Sequence, residues 1–379
     1  MRSRQHRSGT RRRLKVAFIV LAGSFALAAG SWQAAGAAAV SQPAKAAGTS
    51  SASCVSLAGI DQSDAQAASW TPAQMRESIP FSQSALAKAV ARQPPAQRRA
   101  AQESARQSVS ASGPTGCADT GSAATSASAS KAVASSTTGV SPQTRSITSG
   151  YRTIGKFFFE VAHVRFNCTA TAINDAKNNA AKALVLTAAH CFIGDIDGFI
   201  YNSDDWSFAP GWHNNKDPYG LWEVKEAYYP TPWYTCNGIT GLCTLHGPYD
   251  YAVFIVKPQH GHGVGYYTGQ DGWRVNMPKT ENVTVFGVPG TSSTMLVNSA
   301  VSHTVTIGGY QYRRVATPNF GDGASGGPWF YSYSFSSELG DILGDTGGYD
   351  AGGPTDSPSY SPVWTTYFSG FVATVAKKE

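Results

Sequence analysis

The chain has 379 residues, enough for one large or two medium domains, and its net charge of +6 is unevenly distributed. Residues 1–39 carry seven Lys or Arg and no Asp or Glu. Residues 40–145 carry nine Lys or Arg and five Asp or Glu. Residues 146–379 carry fourteen Lys or Arg against nineteen Asp or Glu, a net charge of −5. This acidic part lacks the clustered cations that bind phosphates, so we expect no nucleic-acid partner.

Residues 1–39 have the layout of a secretory signal peptide. A basic stretch precedes the apolar run 16–29, and small residues follow around Ala37. The apolar run, about fourteen residues, is short for a helix that spans a bilayer, so a membrane anchor is the weaker alternative. We expect a secreted, extracellular protein with no membrane association after processing. Thr10-Arg11-Arg12 hints at twin-arginine export and leaves the export route open.

Residues 40–145 are rich in Ala, Ser, Gln and Thr, and residues 113–138 have low complexity. Residues 84–108 predict helices that break at Pro94-Pro95. We interpret 40–145 as a partly disordered pro-segment; an inert stalk or linker is the alternative. Its net charge of +4 favours docking on the acidic part that follows.

After about residue 147, short aromatic and β-branched runs alternate with Gly, Pro, Asn and Asp, which predicts short strands joined by turns. The predicted strands are 156–165, 183–187, 221–229, 251–256, 283–288, 295–301, 310–316 and 328–333. This pattern favours an all-β barrel or sandwich. Apolar residues at helical spacing in 362–376 predict a closing helix.

Three residues in this part carry the candidate chemistry. His190 ends the apolar stretch Leu-Thr-Ala-Ala-His-Cys, and Ser325 lies in the glycine-rich turn Gly-Asp-Gly-Ala-Ser-Gly-Gly-Pro. Asp250 interrupts an apolar run between them, where a carboxylate can be buried beside a histidine; the other aspartates of this region lie mostly in polar clusters. His, Asp and Ser are the base, the orienting group and the nucleophile of an acyl-transfer site.

With Thr-Ala-Ala-His-Cys and Gly-x-Ser-Gly-Gly-Pro, about residues 150–379 resemble the trypsin-like (chymotrypsin-fold) serine peptidases. Within that family the sequence looks most like the bacterial secreted branch that includes the glutamyl endopeptidases. The resemblance implies two antiparallel six-stranded β-barrels, with His190 and Asp250 on the first and Ser325 on the second. It also implies a serine endopeptidase domain over 146–379 that cleaves proteins or peptides without a cofactor, and we expect a monomer.

The oxyanion hole is expected at the backbone N–H groups of Gly323 and Ser325. Ala324 stands where animal trypsins carry an aspartate that pairs with the freed N-terminus, so that activation switch is in doubt here. We expect instead that the protein's own pro-segment keeps the zymogen inactive by blocking the active site, as an intramolecular inhibitor. A composition boundary suggests processing near Arg145.

The resemblance places the substrate pocket at Asn319 and Phe320, with Thr346, Gly347 and Gly348 as a later wall. No histidine follows Ser325, although glutamate-specific relatives usually have one in the pocket, so glutamate specificity is unsupported. The neighbouring Asp345 is either a turn residue or a group that favours a basic substrate side chain. The preferred substrate residue stays open.

Six cysteines in an exported chain suggest disulfides. The family resemblance implies a bridge between Cys168 and Cys191. Cys236 and Cys243 lie seven positions apart and can close a loop, which leaves Cys54 and Cys117 with their pairing open. No Cys-x-x-Cys pair is present, so we expect no metal site.

Two other functions are alternatives to the peptidase. Gly-x-Ser-x-Gly also matches the nucleophile turn of α/β-hydrolases, but that fold needs its acid and histidine after the serine. All eight histidines precede Ser325, and this order excludes an α/β-hydrolase. The other rival, a catalytically silent pseudoprotease that acts as an extracellular binding module, stays as the alternative.

Overall fold

The computed structural model describes residues 55–61, 70–100, 102–103, 143–147 (backbone only), 151–175, 183–196, 199–236, 243–290, 292–316, 320–353 and 357–379. The predicted signal peptide, Cys54, Cys117 and Asn319 lie outside these ranges. All described residues belong to one unit, Ser51–Glu379. Within the described ranges, no helix combines the length and the apolar character needed to traverse a bilayer.

The strands, numbered in chain order, are β1 Leu57–Asp61, β2 Ile79–Pro80, β3 Gln143–Ile147, β4 Ile154–Val161, β5 Val164–Ala172, β6 Leu184–Thr187, β7 Ile193–Ile196, β8 Phe199–Asn202, β9 Asp204–Pro210, β10 Trp222–Pro230, β11 Tyr234–Cys236, β12 Cys243–Leu245, β13 Ala252–Val256, β14 Gly272–Trp273, β15 Thr280–Gly287, β16 Met295–Ile307, β17 Tyr310–Val315, β18 Pro328–Ser334, β19 Leu339–Asp345 and β20 Ser359–Pro362. The α-helices with defined bounds are α1 Pro72–Glu77, α2 Gln83–Arg92, α3 Val264–Thr268 and α4 Thr366–Val375. Residues 95–100 and 102–103 are also helical. Short 3-10 turns occupy Ala189–Cys191, Thr231–Trp233, Gly247–Tyr249 and Tyr349–Gly352.

The first sheet closes into a barrel. Its six strands follow the order β10-β13-β6-β5-β4-β9, and β9 pairs back onto β10. Because side chains alternate along a strand, Phe157 and Phe159 of β4 fill the barrel while Phe158 faces outward. Phe158 is nevertheless fully buried, since a second apolar cluster that includes Trp70 and Trp212 covers it.

The second sheet follows the order β14-β19-β18-β15-β16-β17-β20, and β3 pairs with β16. It curls into a half-barrel. The all-β architecture and the C-terminal helix are therefore confirmed, while the second sheet is more open than the closed barrel that we expected. Helix α4 buries Phe368, Phe371 and Val375, as its helical spacing predicts.

The predicted strand 156–165 is wrong in one respect, because it is a hairpin of two strands. The chain reverses at Ala162 and His163, whose φ angles are +56° and +61°. Such a turn normally carries Asn or Gly, which tolerate positive φ. Ala-His gives no such signal, and so the turn could not be read from the sequence.

Part of the predicted pro-segment is ordered on the first barrel. Strand β1 pairs antiparallel with β10, and β2 pairs in parallel with β5. Helix α1 begins with a capping box, in which Thr71 and Gln74 bond each other's backbone N–H groups. Helix α2 ends just before Pro94, as predicted.

Candidate active site

Two neighbouring strands of the barrel bring His190 and Asp250 together. Strand β6 leads into the 3-10 turn that carries His190, and β13 begins two residues after Asp250. These strands pair antiparallel, with Ala252 opposite Thr187, so the two side chains lie at the same end of the barrel. The Nδ1 atom of His190 lies 2.8 Å from Oδ2 of Asp250, and the backbone N–H of His190 donates to Oδ1 at 2.9 Å.

The buried Asp250 carboxylate is well supplied with donors. It is 0% exposed, and the backbone N–H of Gly348 also donates to Oδ2, at 2.7 Å. These bonds compensate for the cost of burying a charge. A proton on Nδ1 of His190, shared with Asp250, leaves Nε2 free to accept one. Nε2 is buried and has no hydrogen-bond partner among the described residues.

The turn around Ser325 needs glycine at two positions. Gly323 and Gly326 have φ angles of +88° and +78°, which favour glycine. A Cβ on Gly326 would lie 2.1 Å from Oγ1 of Thr187 and 2.3 Å from the carbonyl oxygen of Thr169. The glycines therefore let the turn bring Ser325 against the first barrel.

Thr169 of β5, which no motif in the sequence predicts as a site residue, fixes this turn. Its N–H donates to the carbonyl of Ser325 at 2.8 Å, and its hydroxyl donates to the carbonyl of Gly323 at 2.9 Å. The same hydroxyl accepts from the N–H of Val288 at 2.9 Å. The one sequence signal for Thr169 is its place directly after Cys168, a member of the disulfide with Cys191.

Ser325 and His190 lie on adjoining cavities. Ser325 is 7% exposed and lines an open cavity of about 900 Å³, and His190 lines a second cavity of about 320 Å³. Phe81 contributes to the walls of both. Its ring stacks on the imidazole of His190, with ring centroids 5.6 Å apart and an angle of 29°. The structure thus joins His190 to Asp250 and leaves Ser325 without a hydrogen bond to His190.

The predicted pocket residues are divided between two places. Phe320 and Thr346 line the larger cavity, and Asn319 lies outside the described residues. Gly348 lines the smaller cavity, while Gly347 lies behind Asp250: a Cβ on it would be 3.1 Å from Oδ2 of Asp250. The larger cavity also has two acidic residues, Asp322 and Asp350, and no Lys, Arg or His among its described lining residues.

Asp345 is the last residue of β19 and is fully buried, so it is not an exposed turn residue. Burial, together with the nearby charge of Asp250, raises the pKa of Asp345 well above its ordinary value. It does not line either cavity. Asp345 is therefore a buried acid near Asp250 and not a substrate-binding group.

The expected disulfide between Cys168 and Cys191 is present. Cys243 is also disulfide-bonded, and its register partner across the β11–β12 hairpin is Cys236. The sulfurs of Cys168 and Cys191 lie within 4.8 Å of a ring nitrogen of His190, a grouping that resembles a metal site. Both sulfurs are committed to the disulfide, so this grouping lacks the thiolates that bind a metal.

Comparison with known proteins places this geometry among proteases. No protein-family model and no curated protein matches the sequence. The structure of protease Anisep from Arthrobacter nicotinovorans matches with a TM-score of 0.51 and 25% identity, over 62% of this chain and 100% of that one. The thermostable serine protease AL20 from an extremophilic microorganism matches with a TM-score of 0.48 and 19% identity, over 60% and 99%. A Glu endopeptidase in complex with MPD matches with a TM-score of 0.43 and 19% identity, over 60% and 91%.

The likeness to protease Anisep confirms the resemblance to the trypsin-like serine peptidases that the motifs indicate. It supports a protease, that is, an enzyme that acts on peptide bonds.

Proposed function

We propose that this protein is a secreted serine endopeptidase that hydrolyses peptide bonds with His190, Asp250 and Ser325. The observation that carries the proposal is the buried pair of His190 and Asp250, with Nδ1 2.8 Å from the carboxylate. A carboxylate in this position fixes the imidazole tautomer and stabilises the imidazolium that forms during catalysis. The glycine turn that carries Ser325 lines the adjoining cavity.

The reaction follows from these roles. Oγ of Ser325 attacks the scissile carbonyl carbon while its proton passes to Nε2 of His190. The carbonyl oxygen becomes an oxyanion, held by the N–H groups of Gly323 and Ser325. His190 then returns the proton to the departing amine, and an acyl group stays on Ser325. Water, deprotonated by His190, hydrolyses that ester and restores the enzyme.

One hydrogen bond supports Gly323 as an oxyanion donor. The N–H of Gly323 donates to the carbonyl oxygen of Phe81 at 3.3 Å. An N–H that binds this peptide carbonyl can also bind the scissile carbonyl of a substrate. Removal of one such donor typically costs about 2.7–4 kcal/mol of transition-state stabilisation.

We further propose the division into a signal peptide (1–39), a pro-segment (40–145) and a peptidase domain (146–379) that acts as a monomer without a cofactor. The alignment with protease Anisep supports the last boundary, because 62% of this chain spans the whole of that protein. The larger cavity, with Asp322, Asp350 and no described cation, disfavours an acidic side chain in the pocket. A preference for glutamate is therefore not part of the proposal.

A fluorophosphonate probe tests the proposal. We expect the protein freed of its pro-segment to be labelled at Ser325, and the Ser325→Ala variant to stay unlabelled. Ser336→Ala, an exposed serine, is the matched control and should be labelled like the parent. A digest of a peptide library, analysed by mass spectrometry, then shows which side chain precedes the cut bond. Absence of both labelling and cleavage in the freed protein would favour the binding module.

A further inference from the structure

Residues 78–84, here called the strap, pass over the candidate active site. Strand β2 lies within the strap and pairs in parallel with β5. The next residue, Phe81, donates its N–H to the carbonyl of Asn167 at 2.9 Å. The side-chain amide of Asn167 donates to the carbonyl of Ser78 at 3.2 Å and to its hydroxyl at 2.9 Å. The strap is therefore held as an added strand, in the way that sheet edges bind peptides.

Phe81 covers two of the catalytic groups. Its carbonyl takes the N–H of Gly323, the predicted oxyanion donor. Its ring is 2% exposed, stacks on His190 and contacts the rings of Phe159 and Phe166. A substrate carbonyl cannot reach Gly323 until Phe81 leaves, so the structure shows the site in a blocked arrangement.

Contacts on both sides of the strap hold it in place. Before it, β1 pairs with β10 over five residues, and Nε1 of Trp70 donates to the carbonyl of Asp205 at 2.7 Å. After it, α2 buries Leu86 and Val90 in the core cluster of the first barrel. All these contacts lie before residue 93. A cut in the chain between residues 103 and 143 therefore leaves every one of them unbroken.

We propose that the pro-segment stays bound after such a cut and inhibits the peptidase as a separate molecule, so that its removal, not the cut, starts activity. The occupant is the part of this chain from β1 to α2, and its docking surface is formed by β5, β10, His190 and Gly323. The inference rests on the proposed function, since inhibition requires an active site.

The test uses the full chain with a recognition site for an added protease placed between Ser130 and Lys131. After the cut, we expect the two fragments to elute together in size-exclusion chromatography, and the fluorophosphonate to react with Ser325 no faster than before. Phe81→Ala in the cut protein should raise the labelling rate about 100-fold or more, because a buried aromatic anchor is lost. Ile79→Ala, an exposed apolar side chain in the same strand, is the matched control and should behave like the parent.

Ser78→Ala is a milder second variant, in case Phe81→Ala impairs folding. It removes one acceptor of the Asn167 amide and should raise the labelling rate about 5-fold to 10-fold. Rapid labelling of the cut parent, or release of its pro-segment by the cut alone, would overturn the inference while leaving the peptidase intact. A lack of labelling in every variant and in the fragment-free protein would instead refute the proposed function.

Discussion

The first barrel and the second sheet contribute to the candidate site in different ways. The barrel is closed, and two of its neighbouring strands hold His190 and Asp250 in direct contact. The second sheet supplies Ser325 on a turn whose hydrogen bonds run across to Thr169 of the barrel. The contact between His190 and Asp250 thus depends on one barrel alone. The position of Ser325 depends on the contacts between the two sheets, here called the seam, which include those of Thr169 with the turn that carries Ser325.

The difference shows where substitutions should act. Changes at the seam should move Ser325 and leave the His190–Asp250 pair in place, because that pair depends on hydrogen bonds within the barrel and on the N–H of Gly348. Three substitutions at the seam test this separation.

The largest effect is expected from Gly326→Ala. The added Cβ would meet Thr187 and the backbone of Thr169 at 2.1 and 2.3 Å, so the turn must withdraw from the barrel. We expect a loss of stability of about 3 kcal/mol or more, since backbone cannot yield as a flexible side chain does. Urea unfolding in a Ser325→Ala background, which avoids self-digestion, measures it.

Gly261→Ala is the matched control for that experiment. Its φ of +79° equals that of Gly326 within a degree, and a Cβ there would meet nothing within 4 Å. It carries the backbone penalty alone and should cost about 1 kcal/mol. Equal losses of stability in the two variants would show that close packing against the barrel does not restrict the turn at Gly326.

Thr169→Val should have a smaller effect that falls mainly on catalysis. The change removes the donor to the carbonyl of Gly323 and leaves the buried N–H of Val288 unpaired, a cost of about 1–3 kcal/mol. We expect kcat/KM to fall about 10-fold to 100-fold in the protein freed of its pro-segment, because the oxyanion donors shift. Thr366→Val, at an exposed position, should leave kcat/KM unchanged. A fall in stability without a fall in kcat/KM would limit Thr169 to a structural role.

The same division explains what the sequence could and could not predict. His190 and Asp250 could be predicted because each lies next to an apolar strand in the sequence. The pairing of those two strands brings the residues together. The contact between Thr169 and Gly323 joins residues 154 positions apart, one in a strand of the first sheet and the other in a turn before β18 of the second. No local pattern connects them, so Thr169 could be found only from the folded structure.

The strap illustrates the same limit. Composition indicated a pro-segment over 40–145, and opposite charges indicated that it docks. The residue that contacts His190 and Gly323 is Phe81, to which no motif or composition pattern points. Its role depends on the parallel pairing of β2 with β5, which two residues of sequence cannot specify.

The smallest expected effect is the change in stability with pH that comes from Asp271, a fully buried residue at the seam. Its Oδ2 accepts from the hydroxyl of Thr171 in the barrel at 3.2 Å, and its Oδ1 accepts from the N–H of Gly340 in the second sheet at 2.9 Å. Burial raises its pKa to about 7, although these hydrogen bonds act in the opposite direction. The folded protein therefore keeps a proton that the unfolded chain loses near pH 4.

Unfolding thus releases a proton between about pH 4 and pH 7, so stability falls as the pH rises through that window, by at most about 1.4 kcal/mol per pH unit from this group. Asp271→Asn has no proton to lose, and its stability relative to the parent should grow by about 1 kcal/mol per pH unit from pH 5 to pH 7. Asp204 and Asp205, whose pKa values are raised to about 6, act in the same direction in both proteins and cancel. Asp350→Asn, at an exposed position, should show a constant difference from the parent, measured by urea unfolding at each pH. If the stability difference between Asp271→Asn and the parent were also constant with pH, the carboxyl group would be ionised in the folded protein. Its charge would then be stabilised by the hydrogen bonds from Thr171 and Gly340.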